Sequence, residues 1–308
     1  MQTEYREYTR PALSGEGEIF CRCWLPEQPR AAVILAHGMC EHSGRYHRIA
    51  ELLSEKGYAV FTHDHPGHGR SQMGHPGVFS LKGHGFDFVL GEILRDLDQA
   101  AELCPGKRRF LIGHSMGSIL SAILADRWGE KLNGLILMGT PVPNPLSGLL
   151  KSLCDADIRL HGPIHRSPLL LRLQNTATNG NKTGTPEERR SWLSHNVENI
   201  REYIRDPLAG FDFSSSATRE LADGLREIGS RKWGRGVPKG LPVMVIAGME
   251  DRCGKYGEGP LHYAAQLLGC GVRDVTLRLI PGARHEVLNE IDHREVDETI
   301  LGWLSERA

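Results

Sequence analysis

The fold is decided by residues 109–120, which read RFLIGHSMGSIL. The apolar run before Gly113 predicts a buried strand, and the small and apolar residues after Gly117 predict a helix. The two glycines allow the backbone to turn sharply, because a Cβ at either position would collide with the neighbouring strand or helix. We therefore expect Ser115 to stand at the tip of a tight strand–turn–helix unit.

Strand and helix patterns alternate on both sides of this unit. Short apolar runs predict buried strands, and apolar residues at spacings of three and four predict helices. This repeated order predicts an α/β fold with a mostly parallel sheet flanked by helices. A further strand is expected around Cys21 and Cys23. The predicted strands are 31–36, 59–62, 110–112, 134–138, 242–247 and 275–280, and the predicted helices are 46–57, 86–104, 118–128, 261–268 and 289–305.

The alternation is interrupted for about a hundred residues after the sixth core strand. This segment contains a proline-rich start and several short helical patterns. We interpret residues 1–140 and 241–308 as a core, and residues 141–240 as a largely helical cap (lid) insertion. A cap in this position is expected over the carboxyl edge of the sheet, where folds of this class bind ligands.

Composition and charge exclude several function classes. The 308 residues carry 37 Lys and Arg against 38 Asp and Glu, which argues against a nucleic-acid-binding protein. No apolar stretch reaches the 18 residues of a spanning helix, and the first ten residues show no signal-peptide pattern. Seven scattered cysteines do not form a disulfide framework. We expect a cytoplasmic protein, with peripheral association with a membrane as an open alternative.

Residues 113–117 form a G-x-S-x-G motif at the predicted turn. The motif alone is weak evidence, because a chain with 36 glycines contains it by chance in roughly one case in four. The strand before it and the helix after it strengthen the interpretation, since a nucleophilic serine is typically held in this context. The start of the helix would also direct backbone N–H groups at an oxyanion. We predict Ser115 as a catalytic nucleophile.

A serine nucleophile needs a base and an orienting acid, which follow it in that fold in the order acid, then His. Asp251 comes after the predicted strand 242–247 and His285 after the strand 275–280, so both meet this expectation. Glu250 is the rival acid, and a loop histidine without a catalytic role is the rival interpretation of His285. The backbone N–H groups of Met39 and Met116 are the predicted oxyanion hole, although the His-Gly before Met39 could be a simple turn.

Three motifs together resemble the monoacylglycerol lipases and the lysophospholipase-like, serine-aminopeptidase-like branch of the α/β-hydrolases. They are HGMCEHSGRY at 37–46, DHPGHGRS at 64–71 and GHSMG at 113–117, and YIRDPL at 203–208 is similar to a segment near the end of that family's cap. The resemblance implies an α/β-hydrolase fold. It also implies that the polar end of the substrate is held by Glu41, Arg45, His114 and Tyr203.

Two further patterns leave alternatives open. The H-x-H-x-x-H spacing of His63, His65 and His68 could indicate a metal site, but the acid expected before the last histidine is replaced by Gly67. The apolar cap residues either pack the cap onto the core or serve the substrate, as the lining of an acyl tunnel or as a contact with a membrane or micelle. These residues are Leu149, Leu150, Leu153, Leu169, Leu170 and Leu173.

The sequence therefore predicts a serine hydrolase that cleaves carboxylic esters of lipids through an acyl-enzyme, with monoacylglycerols or lysophospholipids as the expected substrates. This chemistry needs no metal and no organic cofactor. The alternatives are a carboxylesterase for small soluble esters, an aminopeptidase-type hydrolase, or a non-catalytic binding protein on the same scaffold. An intact Ser, Asp and His argue against the last of these.

Overall fold

The computed structural model of the protein describes residues 2–72, 74–142, 147–180 and 182–308. Its centre is one sheet of eight strands in the order β1-β2-β4-β3-β5-β6-β7-β8. The last six strands along the chain pair in parallel, which confirms the predicted α/β architecture. The strands are β1 (Thr3–Pro11), β2 (Glu18–Pro26), β3 (Ala31–Ala36), β4 (Tyr58–His63), β5 (Arg109–His114), β6 (Gly134–Met138), β7 (Val243–Gly248) and β8 (Val275–Ile280).

The amino-terminal part of the sheet differs from the prediction. No strand is predicted before residue 20, whereas β1 lies there and pairs antiparallel with β2, the strand expected around Cys21 and Cys23; β2 also runs antiparallel to β4. The reason is that β1 lies at the edge of the sheet and is mostly exposed, so its residues do not need the apolar pattern of a buried strand. The sheet is therefore mostly parallel, with an antiparallel edge formed by β1 and β2.

Ten helices are described in the structure, and five of them belong to the core. The final helix begins five residues later than predicted, because a short 3₁₀ turn at Val287–Asn289 and a further turn precede it. The core helices are α1 (His47–Glu55), α2 (Gly85–Leu103), α3 (Met116–Trp128), α9 (Glu258–Gly269) and α10 (Arg294–Ser305).

Two apolar layers, one on each face of the sheet, explain why the central strands are apolar throughout. In β3, Ala32 and Ile34 enter the layer that contains α2 and α3, whereas Val33 and Leu35 enter the layer that contains α1 and α10. Alternate side chains of a strand point to opposite faces, so a strand covered on both faces is apolar at every position. This packing fixes the strand ends that carry the candidate site.

Residues 141–240, here called the cap segment, contribute the other five helices after the sixth strand. The last of these packs against the core, where the Glu220 carboxylate accepts a hydrogen bond from the backbone N–H of Phe86 in α2. The division of the chain at residues 140 and 241 stays an interpretation. The helices are α4 (Ser147–His161), α5 (Pro168–Asn179), α6 (Pro186–Arg190), α7 (Val197–Arg205) and α8 (Ser215–Ile228).

The leucines of the cap segment have divergent surroundings. Leu170 is buried, whereas Leu149, Leu169 and Leu173 on α4 and α5 are exposed. Across the described ranges, none of the helices combines the length and apolarity required to cross a membrane.

Candidate active site

Ser115 occupies a strained backbone position between β5 and α3. Its φ of 52° and ψ of −116° lie outside the regions that non-glycine residues usually adopt. The flanking glycines make this turn feasible, because a Cβ on Gly113 would lie 2.3 Å from the carbonyl oxygen of Gly117, and one on Gly117 would lie 2.1 Å from that of Ala36. The turn therefore holds Ser115 at the carboxyl edge of the sheet.

His285 and Asp251 reach Ser115 from the ends of two neighbouring strands. The His285 Nε2 atom lies 2.9 Å from Ser115 Oγ, and its Nδ1 atom lies 3.1 Å from each carboxylate oxygen of Asp251. His285 follows β8 and Asp251 follows β7, and both side chains are buried. Glu250, the rival acid, instead bonds to His195 at 2.7 Å and is half exposed. The structure thus brings together the three side chains that the sequence predicted.

The electrostatic surroundings favour the charged form of His285. Burial alone would lower its pKa, but the Asp251 carboxylate and the Cys253 sulfur beside it raise that pKa well above its usual value. Burial also raises the pKa of the Cys253 thiol, so this thiol is neutral at neutral pH. The Asp251 carboxylate is therefore the group that stabilises the imidazolium.

Neither the backbone N–H of Met39 nor that of Met116 has a hydrogen-bond acceptor among the described residues. Met116 is the first residue of α3, where an N–H has no acceptor within the helix. Met39 follows Gly38, whose Cβ position would be 3.2 Å from that of Ser115. Both groups are thus near the serine and free to donate.

The four residues expected to hold the polar end of a substrate separate into two groups. Glu41, His114 and Tyr203 line the cavity above Ser115. Arg45 is not among its lining residues, since its guanidinium is engaged in a buried ion pair with Glu41 at 2.7 Å. Burial would oppose ionisation of Glu41, but the hydrogen bond from His114 and the charge of Arg45 hold the pKa of Glu41 well below its usual range.

Glu286 is a buried carboxylate that the sequence reasoning missed. Its two oxygens accept bonds of 2.7 Å from Arg45, and one of them accepts a 2.8 Å bond from Asn199 of α7. Bidentate pairs of this kind are strong and geometrically specific. The one indication in the sequence is that Glu286, a charged residue, directly follows the predicted base His285. Arg45 and Glu286 therefore connect the loop that carries His285 to the cap segment.

The cap segment also supplies cavity residues that no sequence pattern indicated. Trp192 lies against His285, with 5.1 Å between the ring centroids. The backbone of its segment is held on the same loop, because Arg284 donates to the carbonyl oxygen of Ser191 at 2.6 Å. The other lining residues from the cap segment are Gln174, Asn175, Thr178, Arg190, Leu193, Phe211 and Asp212. None of the six leucines predicted to form an acyl path is among the lining residues.

The three histidines with metal-like spacing are engaged with other groups. His63 bonds to Asp96 through Nδ1 at 2.6 Å and to His65 Nδ1 through Nε2 at 2.8 Å, and the Nδ1 atom of His68 contacts the carbonyl oxygen of Pro66. Within the described ranges, the only cluster of three or more His, Cys, Asp or Glu side chains close enough together to hold a metal ion consists of Asp251, Cys253 and His285. That group contains the acid and the base of the serine arrangement.

Comparison with known proteins identifies the family. Residues 27–292 match the family described as serine aminopeptidase, S33. The monoglyceride lipase homolog of Monkeypox virus is 30% identical over 94% of this chain and 95% of its own length. Human monoglyceride lipase is 29% identical over 96% of this chain and 90% of its own.

The fold agrees with these relatives. A thermostable carboxyl esterase from Bacillus coagulans, solved in complex with glycerol, has a TM-score of 0.90 at 27% identity, with 98% of both chains covered. The resemblance inferred from the sequence motifs is confirmed, because the match spans the sheet, the cap segment and all three serine-site strands. The chain therefore belongs to the serine aminopeptidase S33 family, in the monoglyceride lipase-like branch of the α/β-hydrolases.

Proposed function

We propose that this protein hydrolyses a carboxylic ester of a single-chain lipid, with Ser115 as nucleophile, His285 as base and Asp251 as orienting acid. The observation that carries the proposal is the 2.9 Å contact between His285 Nε2 and the oxygen of a serine held on a strained turn. A base within hydrogen-bond reach of the hydroxyl is the first geometric requirement for serine catalysis.

The reaction proceeds in two halves. Ser115 Oγ attacks the ester carbonyl carbon while its proton passes to His285 Nε2. The tetrahedral intermediate expels the alcohol, which takes that proton, and leaves an acyl-enzyme. Water then attacks the acyl-enzyme with His285 again as base, which releases the fatty acid and restores Ser115. Asp251 holds the proton on Nδ1 of His285, so that Nε2 is free to accept.

We assign the stabilisation of the negative charge in each tetrahedral intermediate to hydrogen bonds from the backbone N–H groups of Met39 and Met116. This assignment is supported by two observations. Neither N–H group has a competing acceptor among the described residues, and both lie beside Ser115. Fixed donors aimed at a developing oxyanion typically contribute about 10²–10³ to kcat. The positive end of the α3 dipole adds to this stabilisation.

The polar end of the substrate is assigned to Glu41, His114 and Tyr203, which line the cavity. Arg45 has a positioning role in this proposal, because its donors are already used by buried acceptors. The relatives named for monoglyceride hydrolysis, and the esterase solved with glycerol, favour an alcohol with a polyol backbone. The substrate is thus an acyl chain esterified to a polar alcohol.

The exposed leucines of α4 and α5 are assigned to contact with a lipid surface. Leu149, Leu169 and Leu173 present large apolar side chains to solvent, and amphipathic helices of this kind bind at the interface of a bilayer. All seven cysteines are free thiols, which suits a reducing, cytoplasmic location. We therefore propose a peripheral contact with membranes or micelles through the cap segment, residues 141–240.

A fluorophosphonate probe and an ester panel test the proposal together. The probe should add one covalent adduct at Ser115, located by peptide mass spectrometry, and Ser115→Ala should remove both the adduct and ester hydrolysis. Across p-nitrophenyl esters, kcat/KM should rise with acyl length to about eight carbons, since each buried CH₂ contributes about 0.8 kcal/mol. An active Ser115→Ala protein would refute the mechanism, and acetate as the best substrate would refute the lipid assignment.

A further inference from the structure

A cysteine lies beside the acid and the base of the serine site, although the proposed hydrolysis does not require it. The Sγ atom of Cys253, a carboxylate oxygen of Asp251 and a ring nitrogen of His285 all lie within 4.8 Å of one another. The side chains of Asp251 and His285 are almost fully buried, whereas Cys253 is a partly exposed residue. Three side chains that commonly bind metals therefore converge on one point.

The backbone of the loop after β7 holds Cys253 in this position. The N–H of Cys253 donates to Asp251 Oδ1 at 2.8 Å, and the N–H of Tyr256 donates to the carbonyl oxygen of Asp251 at 2.8 Å. Lys255 and Tyr256 adopt left-handed backbone conformations, with φ of 49° and 56°. The chain thus folds back on itself directly after Asp251, and this closed turn keeps the thiol beside the carboxylate.

The three side chains have the ligand types and the spacing that zinc prefers. Zn²⁺ binds Cys sulfur, His nitrogen and carboxylate oxygen tetrahedrally at about 2.0–2.3 Å, which puts neighbouring ligand atoms about 3.4–3.6 Å apart. The Nδ1 atom of His285 lies 3.1 Å from each carboxylate oxygen of Asp251, so these two ligands need to separate only slightly. Three protein ligands leave the fourth position of the tetrahedron to water.

The charges of the cluster also match a soft divalent cation. The Asp251 carboxylate and a Cys253 thiolate together neutralise two positive charges, so the complex carries no net charge and is compatible with its buried surroundings. A thiolate ligand favours zinc over magnesium and calcium, both of which prefer oxygen ligands. Without the sulfur, Asp251 and His285 would supply only two ligands. Cys253 is therefore the residue that converts the acid and base into a metal site.

Resting on the catalytic roles proposed above for Asp251 and His285, we propose that Asp251, Cys253 and His285 form an inhibitory site for Zn²⁺. The ion binds Cys253 Sγ, a carboxylate oxygen of Asp251 and Nδ1 of His285. The thiol proton is released to water, and the proton of Nδ1 is replaced by one on Nε2, so the imidazole stays neutral. Nε2 then donates instead of accepting, and it cannot take the proton of Ser115.

The test combines an activity readout with a spectroscopic one on the metal-free protein. After preincubation with zinc chloride, hydrolysis of p-nitrophenyl butyrate and fluorophosphonate labelling of Ser115 should both be abolished, and EDTA should restore them. Magnesium chloride at the same concentration should have no effect. Cobalt(II) takes the same tetrahedral ligands, and a thiolate ligand gives it an intense charge-transfer band in the near ultraviolet. The wild type should show this band whether or not it hydrolyses esters.

Three variants assign the ligands. Cys253→Ser nearly keeps the size of the side chain and removes the thiolate. It should abolish the cobalt band and raise the zinc concentration for half-inhibition, measured against its own metal-free rate, by more than about tenfold. The matched control is Cys270→Ser, because Cys270 is the other partly exposed cysteine and lies at the end of α9; the band and the inhibition should be unchanged. Ser115→Ala should keep the band, since Ser115 is not a ligand.

The outcomes distinguish this inference from the proposed function. If zinc inhibits the wild type and Cys253→Ser equally, or if the wild type gives no charge-transfer band, the metal acts elsewhere and the inference is overturned while the ester function stands. If the band appears but zinc leaves hydrolysis unchanged, the inhibitory role is wrong, and so is the assignment of His285 as base. If the metal-free wild type hydrolyses no ester although the band depends on Cys253, the metal site stands and the ester function fails.

Discussion

Replacing Arg45 with Met should destabilise the protein strongly, because it removes the cation from a buried network. The Arg45 side chain is about nine-tenths buried, and its guanidinium binds the carboxylates of Glu41 and Glu286, both of which are almost fully buried. Removal of one partner from a buried ion pair typically costs about 3–5 kcal/mol. Here one substitution leaves two carboxylates without their cation, so a value in the upper part of that range is expected.

The ranking of related variants makes this prediction specific. Glu286→Gln leaves Arg45 paired with Glu41, so it should cost less, about 1.5–3 kcal/mol for lost bonds to a charged group. Arg48→Met is the matched control. Arg48 lies three residues after Arg45 and binds Asp297 of α10, but its side chain is 39% exposed. The Asp297 carboxylate is buried but keeps a 2.9 Å contact with His293, so the loss of this partly exposed pair should cost less than the loss of Arg45. The double variant Arg45→Met with Glu286→Gln should cost less than the sum of its parts.

Urea unfolding followed by far-UV circular dichroism measures these free energies, and the midpoint of thermal unfolding provides a second readout. A loss of about 3–5 kcal/mol corresponds to a fall in Tm of about 6–10 °C at roughly 2 °C per kcal/mol. If Arg45→Met proves no more destabilising than Arg48→Met, the buried network does not stabilise the fold. If Glu286→Gln is the worse of the two, the ion-pair reasoning is wrong.

The stability that Arg45→Met loses should depend on pH in a definite direction. Arg45 lowers the pKa of both Glu41 and Glu286 in the folded state, against the opposing effect of burial. Carboxylates with lowered folded pKa values contribute stability that is present above their unfolded pKa of about 4.3 and is lost as the pH falls through the folded value. The stability gap between wild type and Arg45→Met should therefore be full at pH 7 and shrink below about pH 4.

The remaining predictions concern the serine site and its surroundings. Asp251→Asn should lower kcat by about 10⁴, as the same change does in serine protease triads, because it favours the wrong His285 tautomer; Glu250→Gln should have little effect, and the reverse order in ester assays would make Glu250 the acid. The acid limb of kcat/KM should lie above pH ~6.5, since Asp251 raises the pKa of His285 over the effect of burial and only neutral His285 accepts the serine proton; a profile flat from about pH 5 to pH 8 excludes His285 as the base. A bulky maleimide should leave Cys40 unmodified in the native protein, because this thiol is buried and its pKa is raised; inhibition that Cys40→Ser abolishes contradicts this. Leu149→Asp should weaken sedimentation with lipid vesicles while monomeric octanoyl esters are hydrolysed at the wild-type rate, since Leu149 is exposed and away from the cavity; a parallel loss of both makes it a packing residue.

Much of the core could be predicted from the sequence because its physical constraints are local. Strand β3 is covered on both faces and apolar at every position, and its predicted bounds agree with the structure. The bounds of β8 also agree, although this edge strand contains Thr276 and Arg278. The turn around Ser115 depends on two glycines that only a close backbone approach explains. Ser115, Asp251 and His285 each follow a parallel strand, namely β5, β7 and β8, which predicts that all three lie at one edge of the sheet.

The surroundings of the site could not be predicted, because they depend on contacts between distant segments. Helical spacing showed which cap leucines share a side of a helix, but not what that side faces, and the leucines expected along the acyl path do not line the cavity. Arg190 ends the five-residue helix α6, and Trp192 and Asp212 lie outside the helices, so no periodicity marks these three residues. The partnership of Arg45 with Glu286 joins residues 241 positions apart, and nothing local in the sequence marks it.

The order of the strands along the chain also determines when, during synthesis, the parts of the proposed catalytic site come together. Ser115 and His285 are 170 positions apart, and His285 follows β8, the strand at the far edge of the sheet. A ribosome adds about 5–20 residues per second, so about 10–30 s separate the incorporation of the two residues. During that interval Ser115 lacks the base proposed for it, and its hydroxyl should be no more reactive than that of an ordinary serine. A growing chain therefore lacks one member of the proposed catalytic site until residue 285 has been added.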